Sequence, residues 1–135
     1  MLRLFVCLVL ALCFRTVDAV AQQVGPKMTF DCATHDFGDV ERKGGNLLKE
    51  FRFVNDGDAP LVIKKITKSC SCLTIHYPRK PIMPGQSGVI EVSYEPHKVE
   101  AGVFNRVIQI YTNSSSKVRL LAIQGNSVEK LKRKK

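Results

Sequence analysis

Apolar and polar positions alternate in short runs along most of this chain, the period of half-buried β-strands. Phe51 and Phe53 share one face of residues 47–55 while Arg52 takes the other. Ile90, Val92 and Tyr94 oppose Glu91 and Ser93, and Ile108 and Ile110 oppose Gln109 and Tyr111. Strands are therefore predicted over 47–55, 61–69, 72–77, 89–94, 104–112 and 117–124. Ahead of them, 28–31 and 34–40 read as one broken edge strand with a bulge or kink at Gly38. Turn residues separate the runs at Gly44-Gly45-Asn46, Asn55-Asp56-Gly57-Asp58, Pro84-Gly85-Gln86-Ser87 and Asn113-Ser114-Ser115-Ser116. At 55–58 the Asp-Gly step is expected to supply the positive φ of a tight hairpin. Pro78 and Pro81 interrupt the ladder, because neither has an N–H to donate. About seven strands without a helical period predict an all-β fold, an immunoglobulin-like antiparallel β-sandwich. Phe30, Phe37, Phe51, Phe53 and Phe104 are its expected core aromatics.

The N-terminus departs from this pattern. Arg3 precedes an apolar run from Leu4 to Phe14, and Ala19-Val20-Ala21 has the small-x-small spacing of a cleavage site. That is the layout of a secretory signal peptide cut before Gln22. The run is too short for a spanning helix. Leu12 stands where a lipidation box ahead of Cys13 takes a small residue, so cleavage is expected rather than a lipid anchor. The predicted organisation is a signal peptide at 1–21, a leader at 22–27, one sandwich domain at 28–128 and a basic tail at 129–135. About 114 residues remain after cleavage, the size of one domain.

Charge changes the picture only at the C-terminus. The formal net charge of the whole chain is +9. Lys130, Lys132, Arg133, Lys134 and Lys135 supply five of those charges, which leaves a mildly basic body. A nucleic-acid-binding surface is therefore not expected. The tail is either a solvated terminus or a contact for an anionic envelope surface, at about 1 kcal/mol per cation.

Cysteine carries the candidate chemistry. Two of the five cysteines leave with the signal, and Cys32, Cys70 and Cys72 remain. An odd number in a secreted chain implies at least one thiol that is free, metal-bound or shared with another molecule. On a regular strand Cys70 and Cys72 would point to one face about 6.6 Å apart, too far for a disulfide unless Ser71 sits in a tight turn. In that extended form the two sulfurs, with His76 on the same face, would make a candidate copper or zinc site. The competing structural reading pairs Cys32 with Cys70 or Cys72. Such a bridge closes a loop of about 40 residues and contributes about 4 kcal/mol. His35 and His97 read as local or solvent-exposed residues. No nucleophile elbow, Cys-His pairing or phosphate-cradling loop is legible, so no catalytic residue is assigned and the chain is not expected to be an enzyme. Asn55, Asp56 and Asp58 lack the extended ligand series of a calcium loop.

Six ordered motifs carry a resemblance: HDFGDV (35–40), EFRFVNDGDAPLVI (50–63), SCSCLT (69–74), PIMPGQSGVIEVSYEP (81–96), VIQIYTN (107–113) and LLAIQG (120–125). Together they resemble a family of secreted Ig-like domains of unknown function, abundant in Bacteroidetes, with a Phe-Gly start, a Ser-Cys-x-Cys-Thr centre and a Pro-Gly-x-x-Gly turn. That family is related in fold to hydin-type and major-sperm-protein-like domains. The resemblance implies a seven-stranded sandwich and a bacterial envelope location. Cys32 and the lysine-rich end lie outside its pattern. The function expected is an exported, non-enzymatic interaction or accessory module. It would bind another protein by a sheet edge or by end loops, with no nucleic-acid partner and no cofactor. The alternative is a periplasmic metal- or thiol-handling protein using Cys70 and Cys72.

Overall fold

Strands that bury one face each need a second layer to cover it, and here two four-stranded sheets cover each other. The structure is a computed structural model and describes residues 25–131. Its strands are β1 (Met28–Phe30), β2 (Thr34–Glu41), β3 (Leu47–Asn55), β4 (Ile63–Lys68), β5 (Leu73–His76), β6 (Ser87–Tyr94), β7 (Gly102–Thr112) and β8 (Val118–Val128). The first sheet has the order β1-β3-β6-β5 and the second the order β2-β8-β7-β4. All pairings are antiparallel except β2 with β8, which is parallel. One 3-10 turn, Pro96–Lys98, leads from β6 to β7.

The interior follows the alternation. Phe51, Phe53, Ile90, Val92 and Tyr94 from the first sheet meet Ile108, Ile110, Leu121 and Ile123 from the second, all buried. Each such side chain contributes about 1.5–3 kcal/mol by leaving water. Tyr94 stacks on Phe104 across the sandwich, with ring centroids 4.4 Å apart. Phe30 and Phe37, also expected inside, are only partly buried because they sit on edge strands.

The predicted fold class holds, with differences in detail. The described residues form eight strands where about seven were expected. The broken edge strand is two strands in different sheets: β1 pairs with β3, and the chain then crosses at 31–33 so that β2 pairs with β8. Gly38, at φ 67°, lies in the register shift between Asp36 and Asp39, where a bulge was expected. β4 begins at Ile63, and Leu61 makes an isolated bridge to Ile82. β8 runs to Val128, beyond the predicted end at Gln124.

The 55–58 segment is not a tight hairpin. It carries the chain from β3 in the first sheet toward β4 in the second. Gly57 is not among the glycines with positive φ; it is there for space. A Cβ on Gly57 would lie 2.1 Å from the Gly25 carbonyl oxygen and 2.7 Å from the Lys27 nitrogen. Asn55 fills the inward position after Phe51 and Phe53 and is fully buried. Its side-chain NH2 donates to the carbonyls of Ala59 and Ile82, both at 2.8 Å. Its Oδ1 accepts from the backbone N–H of Lys27 and of Gly57. Its backbone N–H donates to Gln86, and its carbonyl accepts from Gly85. One side chain thus ties the leader, the crossover and the turn before β6 together.

Candidate functional site

The cysteine pair occupies the crossover from β4 in the second sheet to β5 in the first. Cys70 and Cys72 are joined by a disulfide, with Cα atoms 5.1 Å apart. That separation is shorter than an extended strand allows, because the chain turns at Ser71. The Leu73 N–H donates to the Cys70 carbonyl, and the Cys72 N–H donates to Cys70 Sγ at 3.1 Å. Cys72 is buried, and its carbonyl accepts from the Glu95 N–H at 2.9 Å. Cys70 is half-buried against the core, and the Lys68 ammonium donates across the turn to the Leu73 carbonyl. This crossover is therefore closed covalently, where the one from β3 to β4 is closed by Asn55.

This pairing replaces the expected bridge from Cys32 to Cys70 or Cys72. Cys32 is a free, exposed cysteine, and its thiol donates to the Thr34 carbonyl. It precedes β2, at one edge of the second sheet, whereas Cys70 follows β4 at the other. Three strand spacings make about 14 Å, twice the Cα separation a disulfide can span. The structure does not bring Cys70, Cys72 and His76 together either. His76 lies on the exposed face of β5, while Cys72 is buried in the turn before that strand, so the two do not share a face. No group of three His, Cys, Asp or Glu side chains suited to a metal occurs among the described residues. Of the tail cations, Lys130 is exposed; Lys132, Arg133, Lys134 and Lys135 lie outside the described residues, as does the predicted signal peptide at 1–21.

The other titratable groups are tuned locally. Burial lowers the His35 pKa, the Lys49 charge adds to this, and Asp36 opposes it. Its ring packs edge-on against Phe37 at 4.6 Å. Asp36 is held below the ordinary carboxylate range by the Gly38 N–H and then by the Gln124 amide. Glu95 is lowered first by its hydrogen bond from Lys98, with which it forms an ion pair at 2.6 Å.

Sheet edges are the remaining feature with chemistry to offer, since each presents unpaired N–H and C=O groups. β1 covers only Phe53–Asn55 of β3. The Arg52 carbonyl, bonded by the Asp31 N–H, marks the even positions of β3 as the outward ones. Leu48 and Glu50 therefore aim their backbone groups at an edge with no described strand, and the Leu48 side chain is 64% exposed. β4 is the corresponding edge of the second sheet. Beside it lies an open recess of about 450 Å³ lined by Lys64, Lys65, Tyr111 and Lys117 together with the 112–114 turn. Sequence reasoning missed both Asn55 and this basic recess. A polar residue in the inward register of β3 signals the first, and the absence of any Asp or Glu from 59–90 and 101–128 signals the second.

Two face-to-face four-stranded sheets, with a first strand divided between them, define an immunoglobulin-like β-sandwich. The chain belongs to a family described as proteins of unknown function (DUF1573), whose model matches residues 28–127. It is similar to a protein of unknown function from Porphyromonas gingivalis, with 20% identity and a TM-score of 0.68 over 82% of this chain and 51% of that one. The chain thus spans about half the length of that relative. The ASH/PapD-like domain of human CEP192 is similar at 9% identity and a TM-score of 0.62, over 84% of this chain and 98% of that domain. The periplasmic chaperone SfaE is similar at 8% identity and a TM-score of 0.54, over 75% of this chain and 58% of the chaperone. At these identities the likeness is one of fold. No functionally curated protein matches the chain. No helix among the described residues is long and apolar enough to cross a membrane.

Proposed function

We propose that this protein is an exported, non-enzymatic interaction or accessory module of the bacterial envelope that holds another protein by a sheet edge. The observation that carries this reading is the pair of open edges, Leu47–Phe51 of β3 and Ile63–Lys68 of β4, on a sandwich with a packed core. Strand addition is the recognition mode such edges support. The PapD-like likeness, including a periplasmic chaperone, agrees with an interaction role. Export rests on the signal-like N-terminus, and the basic run from Lys130 to Lys135 would add contact with anionic envelope surfaces.

A photo-crosslinking amino acid placed at Glu50, at Thr67 and at a core-distant control, Arg79, tests this in the native envelope. Discrete adducts from an edge position and none from the control are expected. Equal, diffuse labelling at all three would refute it. Fractionation with N-terminal sequencing should place the mature start at Gln22 outside the cytoplasm.

The bonded Cys70–Cys72 pair favours a second reading, a thiol- or metal-handling protein in which the reduced pair is the working form. Titrating the reduced protein with copper(I) and with zinc, and repeating with Cys70→Ser/Cys72→Ser, decides it. Uptake that needs both sulfurs supports the second reading, and no difference removes it.

A further inference from the structure

We infer that the β4 edge takes an extended acidic segment of a partner protein, added as a strand beside β4 with a carboxylate seated among Lys64, Lys65 and Lys117. The inference rests on the module reading above and names the partner chemistry of one of its edges.

Charge in the second sheet is segregated by strand. β4, β7 and β8 carry Lys64, Lys65, Lys68, Arg106 and Arg119 and no carboxylate, and Lys117 stands in the turn just ahead of β8. The carboxylates of the sheet, Asp36, Asp39 and Glu41, are all on β2 at the far edge. Three strand spacings separate the two edges by about 14 Å. That exceeds the screening length of about 8 Å at physiological salt, so the cations at β4 are not neutralised from β2. The ion pairs among the described residues are Lys27–Asp56, Arg42–Glu129 and Lys98–Glu95, and none involves the recess. Lys64, Lys65 and Lys117 are all exposed around it. Its wall is fixed: the Lys65 ammonium lies 4.6 Å over the Tyr111 ring, and the Tyr111 hydroxyl donates to Gln109 Oε1 at 3.0 Å.

Backbone geometry adds direction to this charge. The Ser69 N–H donates to the Val107 carbonyl, and Ser69 Oγ accepts from the Val107 N–H. Odd positions of β4 therefore face β7, and Ile66 and Lys68 turn their N–H and C=O groups outward. A lysine-lined edge with a register shift between Ile63 and Lys65 repels basic strands and disfavours pairing with apolar ones, which is how edges avoid aggregation. The same lysines attract an acidic strand, so the device that protects the edge also selects its partner. A lipid or phosphate surface would use the cations but leave the Ile66 and Lys68 backbone groups unmatched. The β2 edge of a second copy is a poorer occupant, because its carboxylates are already engaged: Asp36 by Gly38 and Gln124, Asp39 by Asn126, and Glu41 by the Leu131 N–H.

The test uses the full exported chain and a capped peptide of alternating Glu and Val, about six residues long to match a typical strand. Fluorescence anisotropy and amide chemical shifts would be read at low and high salt, beside a Lys-Val peptide, a Glu-Val peptide N-methylated on alternate residues, and vesicles of anionic lipid. The Glu-Val peptide should bind and shift the Ile66 and Lys68 amides. Affinity should fall at least about tenfold, equivalent to about 1.4 kcal/mol, in Lys64→Glu/Lys65→Glu/Lys117→Glu. The Lys-Val and N-methylated peptides should not bind. Single reversals at Lys64 and at Lys117 keep the test valid if the triple variant fails to fold. The inference is overturned if the Glu-Val peptide does not bind, if charge reversal or N-methylation leaves its affinity unchanged, if only vesicles bind, or if the lysines govern self-association alone. Envelope adducts at Glu50 with no peptide binding at β4 would leave the module reading standing and remove this inference only.

Discussion

The two crossovers that flank β4 do the same mechanical job with different chemistry. Between β3 and β4 the chain leaves the first sheet under the control of one buried amide, Asn55, whose side chain makes four hydrogen bonds. Between β4 and β5 it returns under the control of a disulfide spanning two residues. The polar lock joins three separated segments, the leader, the crossover and the turn before β6. The covalent lock joins a single turn to itself. Chemical bond strength is therefore a poor guide to which lock matters more. What counts is how many segments come apart when the lock is removed and what is left unsatisfied.

The largest effect should come from the polar lock. Asn55→Ala strands the carbonyls of Ala59 and Ile82 and the N–H groups of Lys27 and Gly57, and should cost about 3 kcal/mol in urea denaturation. A loss below that of the disulfide variant would invert the comparison. Gly57→Ala probes the same crossover through space rather than hydrogen bonding. The leader must move from 2.1 Å contact, at a cost of about 2 kcal/mol, and a crystal or NMR structure should show Gly25–Lys27 displaced.

Cys70→Ala/Cys72→Ala should cost about 1–2 kcal/mol, because the loop the bridge closes is minimal and removes little chain entropy. A bridge from Cys32 to either cysteine would have contributed about 4 kcal/mol. Alkylation before and after reduction should find one reactive thiol in the mature chain and then three, while Cys32→Ser leaves the melting temperature unchanged.

The smallest effect lies away from both locks. The folded state lowers the His35 pKa, so the unfolded chain binds the proton more readily. The neutral-His35 contribution is complete above the ordinary histidine pKa of about 6.5 and is lost as pH falls through the depressed folded value. Denaturation midpoints should fall from neutral to mildly acidic pH, and the part due to this residue should disappear in His35→Gln. Unchanged pH dependence in that variant would show that other groups carry it.

Much of the sandwich was readable in the amino-acid order. Phe51 and Phe53 against Arg52, and Ile108 and Ile110 against Gln109, announce strands with one buried face, because side chains alternate with period two. Gly38 announced a break in β2, and Pro84-Gly85 announced the turn before β6, where Gly85 has φ 78°. The candidate chemistry was less legible. Cys32, Cys70 and Cys72 were visible as the cysteines to pair, yet spacing alone did not say which two meet. Lys64, Lys65 and Lys117 were visible only as separate charges, since residues about 50 positions apart share a recess only once β4 lies beside β7.

The sequence by itself determined the strand periods, the positions of the turns and the apolar faces, because these depend on neighbours one to four residues away. Tertiary structure alone decided that β1 and β2 part into different sheets, that β2 runs parallel to β8, that Asn55 joins three segments and that Cys70 closes on Cys72. The first three depend on which distant strand arrives alongside, and the last on whether the chain turns at Ser71 as it crosses between sheets. The free energy that selects them comes from burying two sheets against each other, a term no local window contains.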